Sequence, residues 1–219
     1  MRKLVGVLTL ALMLSLTSCG GGRNEFKISD DVTVGIASSR SYETRKVSLG
    51  RTTLDTKCVR VVFETEYLGE FVAELYPQFA PETVKHFLNL VYDGYYDGAE
   101  FSRIVPGFVA QTGAKVKKAD KVKGEFKSNG YKKNTLKHEK GVISMARKKD
   151  KNSAEGEFFI CLGEASHLDG EYAAFGKIVY GMNTAEKIGE TPGDENDKPL
   201  MEVKIKKAYI ISEAQYKKY

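Results

Sequence analysis

The sequence predicts a mainly β domain, an antiparallel barrel or sandwich carrying two α-helices. From Cys58 onward, short apolar runs recur with turn residues between them. The best defined runs alternate, placing apolar side chains on one face, and only two segments carry helical spacing. Many short strands with few helices bury their apolar faces against one another rather than beneath a layer of helices.

Taken in order, Val59, Val61 and Phe63 alternate with Arg60, Val62 and Glu64, and Phe71, Ala73 and Leu75 with Glu70, Val72 and Glu74. Tyr67-Leu68-Gly69 joins these two strands. Pro81 then suits a first helical position, and Glu82 suits the positive end of a helix. Val84, Phe87, Leu88 and Val91 follow at i, i+3, i+4 and i+7, so an amphipathic helix ends near Asp93-Gly94. Further apolar runs lie at Phe108 to Gln111, Val142 to Ala146, Glu157 to Leu162 and Ala173 to Val179. A short helix is predicted at Met182 to Ile188. Met201, Val203 and Ile205 alternate with Glu202, Lys204 and Lys206 in a closing strand. No internal repeat is visible.

The segment before Cys58 is of another kind. Met1-Arg2-Lys3 precedes an apolar stretch, Leu4 to Leu16, that is too short to span a bilayer, and Leu16-Thr17-Ser18-Cys19 follows. This resembles the lipobox of bacterial lipoproteins. The resemblance implies a signal peptide over residues 1–18, cleavage before Cys19 and lipid on Cys19, hence a protein anchored to a membrane of the cell envelope without spanning it. An ordinary signal peptide with an incidental cysteine is the plainer alternative. Gly20 to Lys57 is polar and reads as a flexible tether, with Val32, Val34 and Ile36 as its one possible strand. The part of this layout that carries the chemistry is then a single domain over residues 58–219.

The formal charge of +5 falls to +3 once Arg2 and Lys3 leave, which does not suggest a nucleic-acid binder. Between Lys115 and Lys151, fourteen Lys or Arg face four acidic residues, a solvated loop or an attraction for anionic neighbours. An exported protein could join Cys58 and Cys161, but Cys161 ends the apolar run Phe158-Phe159-Ile160 and reads as a buried small hydrophobe, so a disulfide is the alternative reading. His86, His138 and His167 form no zinc-binding spacing, and there is neither a nucleophile elbow nor a phosphate loop. Hydrolase, metalloenzyme and nucleotide-dependent readings drop out, and neither a metal nor a cofactor is expected.

The segments LYPQFAPETVKHFLNLVYDGYYDG, FSRIVPGFVAQTG, GVISMAR, GEFFICL and LDGEYAAFGKIVYGM occur in an order and spacing that resembles the cyclophilin-type peptidyl-prolyl cis/trans isomerases, over about Val59 to Ser212. That resemblance implies a closed eight-stranded antiparallel β-barrel with two helices, acting as a monomer on proline-containing polypeptides. Rotation about an Xaa-Pro bond faces a barrier of about 20 kcal/mol from amide resonance, and no covalent bond need break to lower it. By resemblance, Arg103 is the guanidinium that binds the prolyl nitrogen of the twisted state and Gln111 grips the substrate backbone. Phe108, Phe159 and Leu168 match walls of the proline pocket, with Val109 beside them where methionine is frequent. Ala146 and Arg147 match its rim, although for Arg147 a solvated loop is the competing reading.

Several positions depart from the family pattern. Ser102 replaces a histidine, Glu157 a glutamine and Tyr172 a histidine of many members, and His167 stands where an aromatic, often tryptophan, packs over ligand. The Glu157 carboxylate is a possible partner for Arg103, and imidazole at His167 implies weak cyclosporin binding. Two readings follow: an isomerase for exported or envelope proteins, or a proline-peptide binding or scaffold module with little turnover.

Overall fold

The computed structural model describes residues 59–113, 118–211 and 213–219, together with the backbones of four short strands between Asn24 and Thr56. The signal segment 1–18, the lipidation position Cys19, and Cys58 lie outside the described residues. Asn24–Ile28 pairs antiparallel with Val32–Ile36, and Arg45–Leu49 with Thr52–Thr56. The one strand the sequence suggested there, at Val32, Val34 and Ile36, is present, and three further strands join it in two hairpins. Their β-branched residues favour extended backbone, and an extended segment satisfies its N–H and C=O groups by pairing.

The domain that follows is built from β1 (Val59–Thr65), β2 (Glu70–Leu75), α1 (Pro81–Tyr92), β3 (Ala99–Val105), β4 (Val109–Thr112), β5 (Val142–Met145), β6 (Phe158–Cys161), β7 (Ala174–Tyr180), α2 (Met182–Gly189) and β8 (Lys204–Ile211). A four-residue helix, α3 (Glu213–Tyr216), comes last. The strands pair in the order β6-β4-β3-β8-β1-β2-β7-β5, all antiparallel, and β5 pairs with β6 to close the barrel. The expected eight-stranded closed barrel with two principal helices is what the chain forms. The closing strand begins at Lys204 rather than Met201, and Leu200 and Met201 are exposed.

Alternation explains the core. Val59, Val61, Phe63, Phe71, Ala73 and Leu75 all turn into the barrel. Phe63 stacks on Phe71 at 4.8 Å between ring centroids, and Phe158 lies 5.6 Å from Phe63. Helix α1 covers one end of the barrel, burying Val84, Phe87, Leu88 and Val91 as its spacing demands, with Phe87 4.8 Å from both Tyr96 and Phe175. Ala80 precedes Pro81 and offers no side-chain cap. The cap comes from Glu125, whose carboxylate accepts from the N–H groups of Thr83 at 2.8 Å and Glu82 at 3.2 Å. Burial pushes the Glu125 carboxyl up, against the lowering effect of those bonds. Gly181 precedes helix α2, with φ of +75° and an added Cβ that would lie 2.3 Å from the Glu70 carbonyl oxygen, so only glycine fits.

Candidate active site

The β3–β4 hairpin builds the site. Arg103 and Gln111 are direct cross-strand partners, and the register slips between Phe101 and Arg103. The slip is a bulge at Ser102, which re-aims the residue after it. The hairpin turn packs closely on the segment after β6, for Leu162 donates its N–H to the Phe108 carbonyl at 2.8 Å. A Cβ on Gly163 would sit 2.3 Å from the Gly107 carbonyl oxygen.

Nine residues singled out in the sequence meet around one cleft: Arg103, Phe108, Val109, Gln111, Ala146, Arg147, Phe159, Leu168 and Tyr172. Its volume is about 110 Å³, well below the roughly 300 Å³ at which pockets for drug-sized ligands begin. The cleft therefore suits one small ring with adjoining backbone, and not a nucleotide or an extended cofactor. Its apolar side is the face of a small second core in which Val109, Phe159, Cys161, Ala165 and Ala174 pack together. Cys161 is a free, fully buried thiol, and burial pushes it up to about 12. Tyr172 meets the Phe159 ring edge to face at 5.7 Å.

Behind Phe159 lies a buried polar chain. His138 stacks beneath the Phe159 ring at 6.0 Å, and its Nδ1 bonds Asp169 Oδ1 at 3.1 Å while its Nε2 bonds Ser144 Oγ at 3.1 Å. A carboxylate only accepts, so Nδ1 carries the proton, and Nε2 accepts from the serine hydroxyl. Burial lowers the pKa of His138, with the Asp169 bond opposing. Burial would raise Asp169, but bonds from His138 and Lys137 hold its carboxyl below the usual range. The order serine, histidine, carboxylate has the form of a nucleophilic triad, yet Ser144 is fully buried and no substrate reaches it. The chain supports the cleft floor. The sequence placed His138 only in a lysine-rich stretch and gave no sign of these partners.

Three assignments change. Arg147 is not a solvated loop residue: its guanidinium lies 4.6 Å over Tyr172 and 5.2 Å from Phe126. It donates to the Glu171 carbonyl through Nε at 3.1 Å and Nη2 at 3.0 Å, and to the Lys148 carbonyl through Nη1 at 3.0 Å. It forms a fixed wall whose donors are already engaged. Glu157 does not line the cleft or meet Arg103; its Oε2 accepts from its neighbour Gly156 at 3.2 Å. Phe159, not Glu157, is level with Gln111 and hence with Arg103, so Glu157 lies two residues farther along a strand two places away, each spacing about 4.8 Å. The partner of Arg103 is Asp197, with Nη2 3.0 Å from Oδ2. His167 stands at the rim, stacked on Phe108 at 5.2 Å with 27° between planes.

Among the described residues no cluster of His, Cys, Asp or Glu is arranged to hold a metal ion. Apart from Arg147, whose donors are engaged, the polar side chains lining the cleft are the Arg103 guanidinium, the Gln111 amide and the Tyr172 phenol, beside the Phe108 and Phe159 rings. Such a set can hydrogen-bond a peptide and polarise its nitrogen, while bond cleavage would need a nucleophile the cleft does not present.

The comparisons agree with this geometry. Residues 60–210 match the family model described as cyclophilin type peptidyl-prolyl cis-trans isomerase/CLD. Peptidyl-prolyl cis-trans isomerase CYP23 of Arabidopsis thaliana is 40% identical over 146 residues, covering 61% of this chain and 61% of that protein. Peptidyl-prolyl cis-trans isomerase-like 1 of Aspergillus oryzae is 35% identical over 167 residues, covering 71% of this chain and 97% of its relative. A cyclophilin type peptidyl-prolyl cis-trans isomerase of Cryptosporidium parvum superposes with a TM-score of 0.63 at 30% identity, over 71% of this chain and 98% of the other. The same protein in the presence of the dipeptide Ala-Pro gives 0.62. These relatives are eukaryotic, so they carry the family and not the bacterial lipoprotein form. The chain belongs to the cyclophilin-type peptidyl-prolyl cis-trans isomerases.

Proposed function

We propose that this domain accelerates Xaa-Pro rotation in exported or envelope proteins, with Arg103 as the catalytic group. The observation that carries this reading is the pairing of Arg103 and Gln111 on adjacent strands at the mouth of a cleft sized for one ring. The proline ring seats against Phe108, Val109, Phe159 and Leu168, and Gln111 holds the neighbouring backbone. As the amide twists, its nitrogen loses resonance with the carbonyl and regains a lone pair. A guanidinium N–H aimed at that nitrogen then bonds the twisted state better than the planar one, which lowers the barrier. Arg103 stays protonated throughout and no covalent intermediate is formed. The neighbour studied with Ala-Pro supports a small prolyl ligand for this cleft.

The test is isomerisation of a short Xaa-Pro peptide by the soluble domain and by Arg103→Ala. The variant should lose about a hundredfold or more of the rate, the scale for removal of one preorganised donor. An Arg103→Ala variant at the unmutated rate would refute the role of the arginine, and a domain that gives no acceleration would leave only the binding-module reading.

The location belongs to the same proposal and rests on residues 1–19 alone: a charged start, a short apolar stretch and Cys19. The protein acts as a monomer held by lipid on Cys19 at an envelope membrane. Cys19→Ala should move it from the membrane fraction to the soluble one, and continued membrane association would count against the anchor.

A further inference from the structure

Arg103 lies beside a strained residue from a distant part of the chain. Asp197 belongs to the connector between α2 and β8, and its Oδ2 accepts from Arg103 Nη2 at 3.0 Å. We infer that Asp197 is a positioning residue for the isomerisation, holding the guanidinium of Arg103 so that its remaining N–H groups face the cleft. The inference rests on the reading of Arg103 as the catalytic group.

The backbone is the first support. Asp197 has φ of +63°, the one non-glycine residue with positive φ among the described residues. Side chains rarely adopt that conformation, and it persists where the surroundings enforce it. Here they do. Asp194 Oδ1 accepts from the N–H groups of Asn196 at 2.8 Å and Lys198 at 2.9 Å. The Asp194 N–H donates to the Lys198 carbonyl at 2.8 Å, Asp197 donates to the Asp194 carbonyl at 3.1 Å, and Gly193 bridges to Pro199.

The second support is how this turn is attached. Strand β8 pairs with β3 only at Ala99 and Glu100, leaving the rest of that edge of β3 without a strand. The chain before β8 continues along it: Phe101 donates to the Val203 carbonyl at 2.9 Å, and Ile104 to the Asp197 carbonyl at 2.8 Å. A backbone bond between Asp197 and the residue after Arg103 thus sets the separation of carboxylate and guanidinium.

The third support is what the pair does not do. The two side chains are 43% and 41% exposed, and an ion pair so open to water adds little to stability. A strained backbone maintained for a weak stabiliser points to another use. Arginine has many rotamers, and a carboxylate on one Nη removes most of them while leaving other donors for the prolyl nitrogen. Among the described residues those other donors make no further bond. Orientation fixed before the substrate arrives is the form in which a charged donor acts best.

The test compares Asp197→Asn and Asp197→Gly with the unmutated domain and with Arg103→Ala. Asparagine and glycine accept positive φ, so the turn keeps its shape while the charge is lost. Both should lower kcat about three- to tenfold with KM unchanged, the scale of a slightly misplaced group. The thermal midpoint of Asp197→Gly should be unchanged or higher. In an Arg103→Ala background neither substitution should lower the rate further. If Arg103→Ala is slow but both Asp197 variants match or exceed the unmutated rate, this inference fails and the reading of Arg103 stands. A loss that persists without Arg103, or that tracks a lower midpoint in both variants, also overturns it. Arg103→Ala at full rate removes the reading beneath it.

Discussion

Phe159 belongs to the cleft and to the core at the same time. Its ring is only 4% exposed, yet it lines the space between Arg103 and Tyr172. It lies between the cleft and the His138 imidazole, so its position is set from the protein side. Val109 is similarly buried and packs in the same small core as Phe159. Phe159→Ala should therefore weaken both structures together. The loss of a buried ring costs about 3–5 kcal/mol of stability, which denaturant unfolding would register. Under the function proposed above, loss of the apolar contact with the proline ring should raise KM roughly tenfold, equivalent to about 1–2 kcal/mol. A variant with KM unchanged would mean that the ring is core alone and that the substrate sits elsewhere in the cleft.

At the scale of elements, legibility follows how local the determinant is. The α1 spacing and the alternation in β1 and β2 are written within a few residues, and these elements appear where the sequence places them. Strand β3 does not declare itself: the bulge at Ser102 breaks its period, and Arg103 faces the cleft at a half-exposed position. The cap of α1 was invisible for another reason, since Glu125 lies 42 residues beyond the Thr83 N–H it satisfies. The alternation at Met201, Val203 and Ile205 extends too far because the chain there meets β3 through the Phe101 bond to the Val203 carbonyl, before β8 begins at Lys204. The residues that the family resemblance singled out, Arg103, Gln111 and those of the ring pocket, line one cleft. Residue types alone could not choose Asp197 over Glu157 as the arginine's partner, because that choice depends on strand register and on a turn 94 residues away.

At the scale of the whole molecule, closure of the barrel depends on the seam between β5 and β6, and a titratable group sits against it. Ser144 on β5 pairs with Phe159 on β6, and His138 bonds the first while stacking on the second. Asp169, after the Leu168 wall, holds the other ring nitrogen and also accepts the His138 backbone N–H at 2.9 Å. Protonating this imidazole would put a buried charge where Nε2 now accepts from a hydroxyl. Burial accordingly holds the folded pKa of His138 below its ordinary value, so the unfolded chain binds a proton that the folded chain refuses. Stability from this group is present in full above the unfolded pKa of about 6.5 and falls as pH drops toward the folded value, by at most about 1.4 kcal/mol per pH unit for one proton. Asp169, held below the carboxylate range, adds a second loss only below about pH 4. The His138 contribution should leave thermal midpoints level from pH 8 to 7 and lower them between pH 6.5 and 5, opposed by Glu125, whose raised carboxyl adds stability as it protonates. His138→Gln should start lower at pH 8, having lost ring packing, but decline less over that interval. An equal decline in both proteins would assign the acid sensitivity to another group and leave the seam indifferent to pH.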